Sequence, residues 1–480
     1  MQVHGTNIGI RRILCITQGG DETFMDKANS AGMAKIGAIL DTGSFVEIGA
    51  YMKEAGADTP LSGVITGYGA IEGRLVYIFV QNFDNTKGAM DEVQASKIEA
   101  LYKLALSAGA PVIGVFNSAG AFVEDGALAM AAYGRILKTV TAASGVIPQI
   151  AYVAGLCGGL SAVIASVFDF VVTVKDKSKF YVTSPFLLDD KNGSAEYAAR
   201  CGVSSFTMET EDMADGFVRK LLGYLPSNNA DGTEQRQTGD DVNRTLNLTE
   251  YTDRTLLDAL VDNGTFLEVS ASFGRELCVG LAAIGQEVCG VVACDSAVNH
   301  AALTPDAMRK ASKFISFCDS FNIPLLTLVD SIGLVQTLSA EEDPAASAAG
   351  RLAQVYACSQ NSKVTVIVGK AYGAAFTLLG SKALGSDLVF ATDNACISAL
   401  PPETAVAFLW NDRITPDVTR EALEKKWKEE KATAREAAAC GAVDDIVPLA
   451  ELRQRICAGF YMLARKSTLS PERRHVNYPL

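Results

Sequence analysis

Apolar residues along this chain occur in short runs, separated by glycine turns and by segments with helical spacing. The stretch from Ile147 to Val174 contains the whole pattern: an apolar run, a glycine turn, a small-residue segment and a second β-rich run. In order, these are Ile150–Val153; Gly155, Gly158 and Gly159; Ser161–Phe168; and Phe170–Val174. The pattern predicts a strand, a tight turn, a helix and a second strand.

Three interpretations of this stretch differ in what they require. No charged residue lies between Ile147 and Phe168, so its length allows a transmembrane helix. The glycines, a proline and the terminating Asp169 argue against a membrane span. Two interpretations stay open: glycines that serve only close packing, and a turn whose backbone N–H groups stabilise a transient oxyanion at a helix N-terminus.

The same order of elements occurs in both halves of the chain. Helical spacing over Ser96–Ser107 precedes an apolar run at Pro111–Phe116, and Met308–Phe321 likewise precedes Pro324–Val329. Strands that alternate with helices are typical of parallel sheets with crossover helices. The sequence therefore predicts an α/β protein.

The two halves also repeat each other in sequence. Asp41–Glu47 recurs as Asp262–Glu268, and Lys97–Gly120 aligns with Lys310–Gly333 without a gap. Matched positions in the second alignment are Pro111 and Pro324, Asn117 and Asp330, Ser118 and Ser331, and Gly120 and Gly333. The run Val364–Ala375 repeats the glycine-turn stretch. A period of roughly 210–220 residues is too long for a solenoid and indicates two tandem domains of one fold.

The polar stretch from Pro226 to Thr245 has almost no large apolar residue and is predicted to link the halves. We therefore expect domains at residues 1–235 and 236–480. The charged stretch Arg420–Lys431 has Leu and Trp at helical spacing. It predicts a solvated helix, and a docking surface is the alternative.

Composition excludes several classes of protein. The chain has 480 residues, of which 49% are hydrophobic, and a net charge of −13, which argues against a nucleic-acid partner. Its eleven cysteines are scattered without a C-x-x-C pair, so no zinc site is expected, and we predict no metal. Scattered thiols and the absence of a signal-like N-terminus predict a cytoplasmic location.

Several segments together resemble the two crotonase-type domains of the biotin-dependent acyl-CoA carboxyltransferases. That family includes propionyl-CoA carboxylase β subunits and the carboxyltransferase subunits of methylmalonyl-CoA and glutaconyl-CoA decarboxylases. The likeness runs from about Leu40 to Arg465, and its markers are Asp41–Phe45, Gly155–Gly159, Phe317–Leu325, Lys370–Phe376 and Ala438–Asp445. The resemblance implies tandem crotonase-like (ClpP/crotonase) ββα-superhelix domains.

The resemblance also implies a site. The amides of Gly158 and Gly159 would bind the acyl-CoA carbonyl oxygen, and those of Ala374 and Ala375 the ureido oxygen of biotin. No side-chain nucleophile is required, and a His-based mechanism is not expected, since the only histidines are His4, His300 and His475. The expected substrate-binding residues are Ser118, Ala119, Gly120, Ala121, Gly333, Tyr372, Gly373 and Thr377. In the family the two sites meet across a subunit interface, which implies a homodimer or a trimer of dimers.

The sequence departs from the family pattern at several positions. Phe122 replaces an arginine, Tyr197 a histidine, Ile332 the proline of a proline-glycine pair, and Ala374 a glycine. Thr377 stands where propionyl-CoA enzymes have an aspartate. An amide survives a Gly-to-Ala change where φ is negative. Whether the changes at Phe122 and Tyr197 abolish or alter activity stays open, as do the acyl-CoA and the direction of the reaction.

Biotin is expected on a separate carrier protein, because the nearest attachment-like segment, Met52–Glu54, follows no suitable strand pattern. No P-loop is present, so a biotin carboxylase or a membrane decarboxylase pump would be another subunit. Coenzyme A would enter as part of the substrate. Two alternatives remain: a biotin-independent crotonase-type hydratase or isomerase, and a catalytically silent subunit.

Overall fold

The computed structural model describes residues 30–52, 63–84, 86–188, 191–467, 477 and 479. His4, His475 and most of the attachment-like segment, Lys53–Glu54, lie outside these residues. The chain divides into two compact units, Met1–Asp231 and Gly232–Leu480. The division falls inside the polar stretch between Pro226 and Thr245.

The first unit is an α/β domain built on one mixed sheet. Its helices are α1 (Ala31–Ile39), α2 (Glu92–Ala108), α3 (Ala127–Ala143), α4 (Leu160–Val167), α5 (Ala195–Arg200) and α6 (Glu211–Leu222). Its strands are β1 (Val46–Ile48), β2 (Val64–Ile71), β3 (Arg74–Gln81), β4 (Val112–Ser118), β5 (Gln149–Gly158), β6 (Phe170–Val174), β7 (Lys179–Tyr181) and β8 (Phe206–Met208). The sheet order is β1-β2-β3-β4-β5-β6-β8, with β7 paired to β5; β1, β2 and β3 are antiparallel and the later pairs are parallel.

The second unit repeats this architecture. Its helices are α7 (Asp253–Leu260), α8 (Pro305–Ser320), α9 (Leu338–Glu342), α10 (Ala345–Cys358), α11 (Ala374–Leu378), α12 (Pro402–Ala405), α13 (Arg420–Lys431), α14 (Ala434–Ala439) and α15 (Leu452–Leu463). Its strands are β9 (Leu267–Val269), β10 (Leu277–Ile284), β11 (Glu287–Cys294), β12 (Leu325–Ser331), β13 (Lys363–Tyr372), β14 (Leu388–Ala391), β15 (Cys396–Ser398) and β16 (Asp445–Ile446). The order is β16-β14-β13-β12-β11-β10-β9, with β15 paired to β13.

The ends of the helices follow capping chemistry that the sequence carries. Asp91 precedes α2 and accepts a hydrogen bond from the amide of Gln94, while Gly109 ends the helix in the left-handed region with φ 61°. Thr304 caps α8 in the same way, and Pro305 occupies its first position, where no amide is needed. The predicted helices over 96–107 and 308–321 are confirmed, each beginning three to four residues earlier than expected.

The central strands are buried on both faces because helices cover them, which explains their continuous apolar runs. In the first unit Phe79, Phe116 and Phe168 pack edge-to-face, with ring centroids 5.5 to 6.4 Å apart. Such pairs add about 0.5–1.5 kcal/mol each beyond the burial of their area. The second unit has its own core, which includes Val364 and Phe460.

The stretch Ile147–Val174 forms a strand, a turn, a helix and a strand, as its pattern predicts. Among the helices of the described ranges, none combines the length and the apolar character that crossing a bilayer demands. The predicted helix over Arg420–Lys431 is also confirmed, and it is largely solvated, with Leu423 as its buried residue.

Candidate active site

The glycine turn of the first unit joins the end of β5 to α4. Gly159 precedes the helix with φ 60° and ψ −128°, a conformation that L side chains disfavour. Its amide donates to the carbonyl oxygen of Tyr181 on β7, with an N···O distance of 2.9 Å. Its carbonyl accepts from Val163, the first intrahelical bond. The amides of Leu160 and Ser161 belong to the first turn of α4, where no intrahelical acceptor exists.

The second unit builds the same turn between β13 and α11. Gly373 has φ 51° and ψ −118°, and its amide donates to the carbonyl oxygen of Ser398 on β15 at 2.9 Å. Ala374 and Ala375 are the first two residues of α11. Ala374 does not have a positive φ, so an alanine here leaves the position of its amide unchanged.

The two turns are equivalent, but their equivalent residues are not the two amide pairs expected from the sequence. Gly159 and Gly373 are equivalent, since each precedes the helix and donates its amide to a neighbouring short strand. Leu160 and Ser161 therefore correspond to Ala374 and Ala375. Within each pair the first residue is partly exposed and the second is buried. The expected pair Gly158 and Gly159 lies two residues earlier, and the Gly159 amide already donates to the Tyr181 carbonyl oxygen.

A second loop approaches each turn from the neighbouring strand. Ser118 ends β4, and its buried hydroxyl accepts from the amide of Gly120 at 3.1 Å. In the second unit the Ser331 hydroxyl accepts from the amide of Gly333 at 3.2 Å. Two of the expected substrate-binding residues, Ser118 and Gly120, thus shape their own loop.

Backbone hydrogen bonds fix these loops to the segment that follows β3 or β11. Ala119 donates to the carbonyl oxygen of Lys87 at 3.0 Å, and Phe122 donates to that of Met90 at 2.9 Å. The segment around Met90 also pairs with Ala121. In the second unit Ile332 donates to the carbonyl oxygen of His300 at 3.4 Å. The His300 side chain is exposed and its φ is 51°. Its contact with the loop is the hydrogen bond to its backbone carbonyl oxygen.

Side chains near the turns are mostly engaged in packing. The Tyr181 ring lies directly against Gly158, where a Cβ would come within 2.6 Å of Cε2. Tyr372 donates its hydroxyl to Sγ of Cys396 at 3.3 Å, and burial together with this contact raises the pKa of Tyr372. Thr377 is exposed on α11. Tyr197 lies on α5, a separate helix, with the Arg200 guanidinium over its ring.

Two potential nucleophiles beside the first turn, Cys157 and Ser161, have buried side chains. Cys157 is fully buried, and burial raises the pKa of its thiol, which keeps it protonated at neutral pH. The Ser161 hydroxyl is also buried and lies 3.1 Å from the Tyr133 hydroxyl. No cluster of three or more His, Cys, Asp and Glu side chains within the described residues could hold a metal ion.

The polar residue before each loop serine reaches across to the next strand. Oδ1 of Asn117 on β4 accepts from the amide of Leu156 on β5 at 3.1 Å. Oδ1 of Asp330 on β12 accepts from the amide of Lys370 on β13 at 2.7 Å. The sequence aligned Asn117 with Asp330 but gave neither a role.

Comparison with known proteins identifies the class that this fold and these turns define. The carboxyl transferase domain family matches residues 26–478. The chain is 32% identical over 498 residues to the propionyl-CoA carboxylase carboxyltransferase subunit of Haloferax mediterranei, covering 96% of each chain. It is 32% identical over 496 residues to methylmalonyl-CoA decarboxylase subunit alpha of Veillonella parvula, covering 97% of each.

A solved structure agrees with these relatives. Transcarboxylase 12S, a hexamer solved with methylmalonyl-coenzyme A and methylmalonic acid bound, matches with a TM-score of 0.89 at 29% identity, covering 96% of each chain. The protein belongs to the carboxyl transferase domain family. The family and the crotonase-like fold class predicted from the sequence are therefore confirmed.

Proposed function

We propose that this chain transfers a carboxyl group between biotin, borne by a separate carrier protein, and the α-carbon of a short acyl-CoA. The observation that carries the proposal is a duplicated one. Within a carboxyl transferase chain, each unit builds the same strand, glycine turn and helix, and each turn offers first-turn amides that lack an intrahelical acceptor.

The proposed chemistry requires stabilisation of two different oxyanions. Carboxyl transfer to an acyl-CoA develops negative charge on the thioester oxygen, and biotin, when bound, supplies a ureido nitrogen that carries the carboxyl group. Preorganised N–H groups suit both charges, and loss of one donor from such a site costs about 3–4 kcal/mol of transition-state stabilisation. The helix N-terminus adds partial positive charge.

The second unit has the donors that fit the biotin ureido oxygen. We assign this role to the amides of Ala374 and Ala375, since both lie in the first turn of α11 and neither needs a positive φ. Gly373 supplies the left-handed residue that turns the strand into the helix. Tyr372 and Thr377 flank this turn and are assigned to binding of the substrate, with Gly333 from the adjoining loop.

The first unit is assigned to the acyl-CoA carbonyl oxygen. Gly158 and Gly159 form the turn, but the Gly159 amide donates to Tyr181. The equivalence with Ala374 and Ala375 therefore favours Leu160 and Ser161 as the donating amides, with Gly158–Gly159 positioning them. The loop Ser118–Ala121 is assigned to the acyl-CoA side.

The reaction needs no nucleophile or base from the described part of this chain. Protons and carboxyl groups can pass between the two bound substrates, which agrees with a protonated, buried Cys157 and a hydrogen-bonded Ser161 beside the turn. The described residues act by binding, orienting and donating hydrogen bonds.

The proposed assembly is a homo-oligomer, a dimer or a trimer of dimers, that meets a biotin carboxyl carrier protein. A biotin carboxylase or a membrane decarboxylase subunit would complete the complex and set the direction. The relatives are subunits of such complexes by name, and transcarboxylase 12S is a hexamer. A cytoplasmic location belongs to the same proposal.

The test is carboxyl exchange with the purified chain. Free biotin is incubated with malonyl-CoA and methylmalonyl-CoA, each labelled in its free carboxyl group on the α-carbon, and labelled carboxybiotin is measured. Biotin-dependent transfer from at least one thioester is the expected result. Hydration or isomerisation of enoyl-CoA without biotin would instead support a hydratase or isomerase. Exchange that appears only after addition of a related subunit would support a silent subunit.

A further inference from the structure

We propose that Asn117 and Asp330 are positioning residues, which hold the two amide-bearing turns in their working orientation through an irregularity in the strand that leads to each turn. The proposal rests on the carboxyl transfer function above, because it assigns the turns a catalytic task. It concerns each unit separately.

The irregularity is the same in both sheets. In the first unit the pair Phe116–Val153 is followed by Ser118–Cys157, so β4 advances two residues while β5 advances four. In the second unit Val329–Ile367 is followed by Ser331–Ala371, again two residues against four. Strand irregularities of this kind redirect the residues that follow them and recur beside active sites.

One side chain fills each irregularity. The Asn117 carboxamide accepts from the Leu156 amide, and it occupies the space beside Gly155 so completely that a Cβ there would overlap it. The Asp330 carboxylate accepts from the Lys370 amide and leaves no room for a Cβ at Gly369. Glycine is needed at 155 and 369 because the Asn117 or Asp330 side chain, from the neighbouring strand, occupies the space that a Cβ would need.

The contact lies close to the turn it would control. Leu156 is three residues before Gly159, and Lys370 is three residues before Gly373. Each turn is then held at two points: by the side chain at the irregularity, and by the hydrogen bond from its glycine amide to a carbonyl oxygen on β7 or β15. Loss of the first hold leaves the strand free to relax, which moves the first-turn amides relative to the oxygen they must meet. Misplacement of about 1 Å can cost about 100-fold in rate.

The chain offers variants that separate this role from simple stabilisation. Asn117→Ala and Asp330→Ala remove the acceptor, whereas Asn117→Asp and Asp330→Asn keep an oxygen in the same place. Asp169 and Asp387 are matched controls: each binds the amide at the other end of β5 or β13, at 2.8 Å from Gln149 and Lys363 respectively.

In carboxyl exchange we expect the alanine variants to lose about 100-fold in kcat, with the KM for acyl-CoA within about twofold, since the oxyanion exists only after binding. The conservative variants should recover most of that loss. Asp169→Ala and Asp387→Ala should keep kcat within a few-fold of the parent. Gly155→Ala should resemble Asn117→Ala, and the double variant should be no worse than either, because both changes break one contact.

A second measurement does not depend on activity. Hydrogen exchange followed by mass spectrometry should show faster exchange in a peptide over 155–162 for Asn117→Ala, and in one over 369–376 for Asp330→Ala, without a change in the other unit. Unchanged exchange there, or accelerated exchange with full kcat, would overturn the positioning role. An inactive parent whose variants still show these local changes would count against the proposed function and in favour of the hold on the turn.

Discussion

The guanidinium of Arg453 and the carboxylate of Asp262 form an ion pair at 2.5 Å, and neither side chain is exposed to solvent. The equivalent pair of the first unit, Arg219 and Asp41, lies at 2.8 Å with more than a quarter of each side chain exposed. Both carboxylates also accept the amide of a hairpin glycine, Gly73 or Gly285. Burial alone would raise the pKa of Asp262, but hydrogen bonds from Arg453 and the backbone hold it below its usual value.

The two pairs should differ strongly in their contribution to stability. Arg453→Met leaves a buried carboxylate without its paired cation and should lower the free energy of unfolding by about 3–5 kcal/mol. Arg219→Met, at a solvated pair, should cost about 1 kcal/mol or less. The chain has two tryptophans, Trp410 and Trp427, both in the second unit, so their fluorescence in urea reports that unit. Circular dichroism reports the unfolding of both units. Equal losses of stability in the two variants would contradict the predicted difference between the buried and the solvated pair.

Lys310 should make the stability of the second unit depend on pH. Its ammonium is buried 3.4 Å from the Ser270 carbonyl oxygen, and burial lowers the pKa of Lys310 to about 8. A lysine in the unfolded chain has a pKa of about 10.4. The folded state therefore disfavours the charged form, and this cost is fully present below pH 8 and fades as the pH rises to about 10.4.

Removal of the buried ammonium should stabilise the folded state by up to about 3 kcal/mol at pH 7. Loss of its hydrogen bond should cost about 1 kcal/mol, so Lys310→Met should be more stable than the parent at this pH. The advantage should shrink by pH 10. Lys313→Met is a control on the same helix, since Lys313 is exposed. Urea titrations by tryptophan fluorescence at both pH values measure the difference, and a constant advantage would refute the role of ionisation.

In the turn between β13 and α11, replacement of Gly373 should reduce activity more than replacement of Ala374. Gly373→Ala places a Cβ on a residue with φ 51°, 3.1 Å from the Ala399 carbonyl oxygen, and should shift the turn. We expect strain of about 1–2 kcal/mol and a fall in kcat for carboxyl exchange. Ala374→Gly leaves the amide in place and should keep kcat within a few-fold. The reverse order of effects would mean that the turn is not fixed by Gly373.

Cys157 should prove dispensable for chemistry. Its buried thiol has a raised pKa and is protonated, so Cys157→Ala should retain carboxyl exchange within a few-fold of the parent. Iodoacetamide should label the exposed Cys201 and Cys440 first in the native protein, and Cys157 only after denaturation, as mass spectrometry can measure. Loss of activity that parallels labelling of Cys157 would contradict this.

Much of the fold could be predicted because its signals are local. The strand over Phe170–Val174 has the bounds that its apolar run predicted, and the helices α2 and α8 differ from prediction only near their ends. The aligned pairs Ser118 and Ser331, and Asn117 and Asp330, occupy equivalent places. The residues that repeat in sequence make equivalent hydrogen bonds in the two units. The sequence could not show which atoms those bonds join.

The site could be predicted to the turn but not to the amide. The glycines at 158–159 and the small residues at 373–375 indicated where backbone N–H groups would be presented. The Tyr181 carbonyl that pairs with Gly159 lies on a different strand, and the register of β5 against β7 decides which amide it meets. Leu160 and Ser161 carry no signal of their own, because a donating amide belongs to every residue except proline.

The sequence by itself determined the class of fold, the duplication and the family, since these follow from periodicity, spacing and shared residue order along the chain. Only the tertiary structure decided which amides are paired, that Asn117 and Asp330 fill matching irregularities, and that one of two equivalent ion pairs is buried. The physical reason is that hydrogen bonding and desolvation depend on distances between segments far apart in sequence, which strand register and packing set.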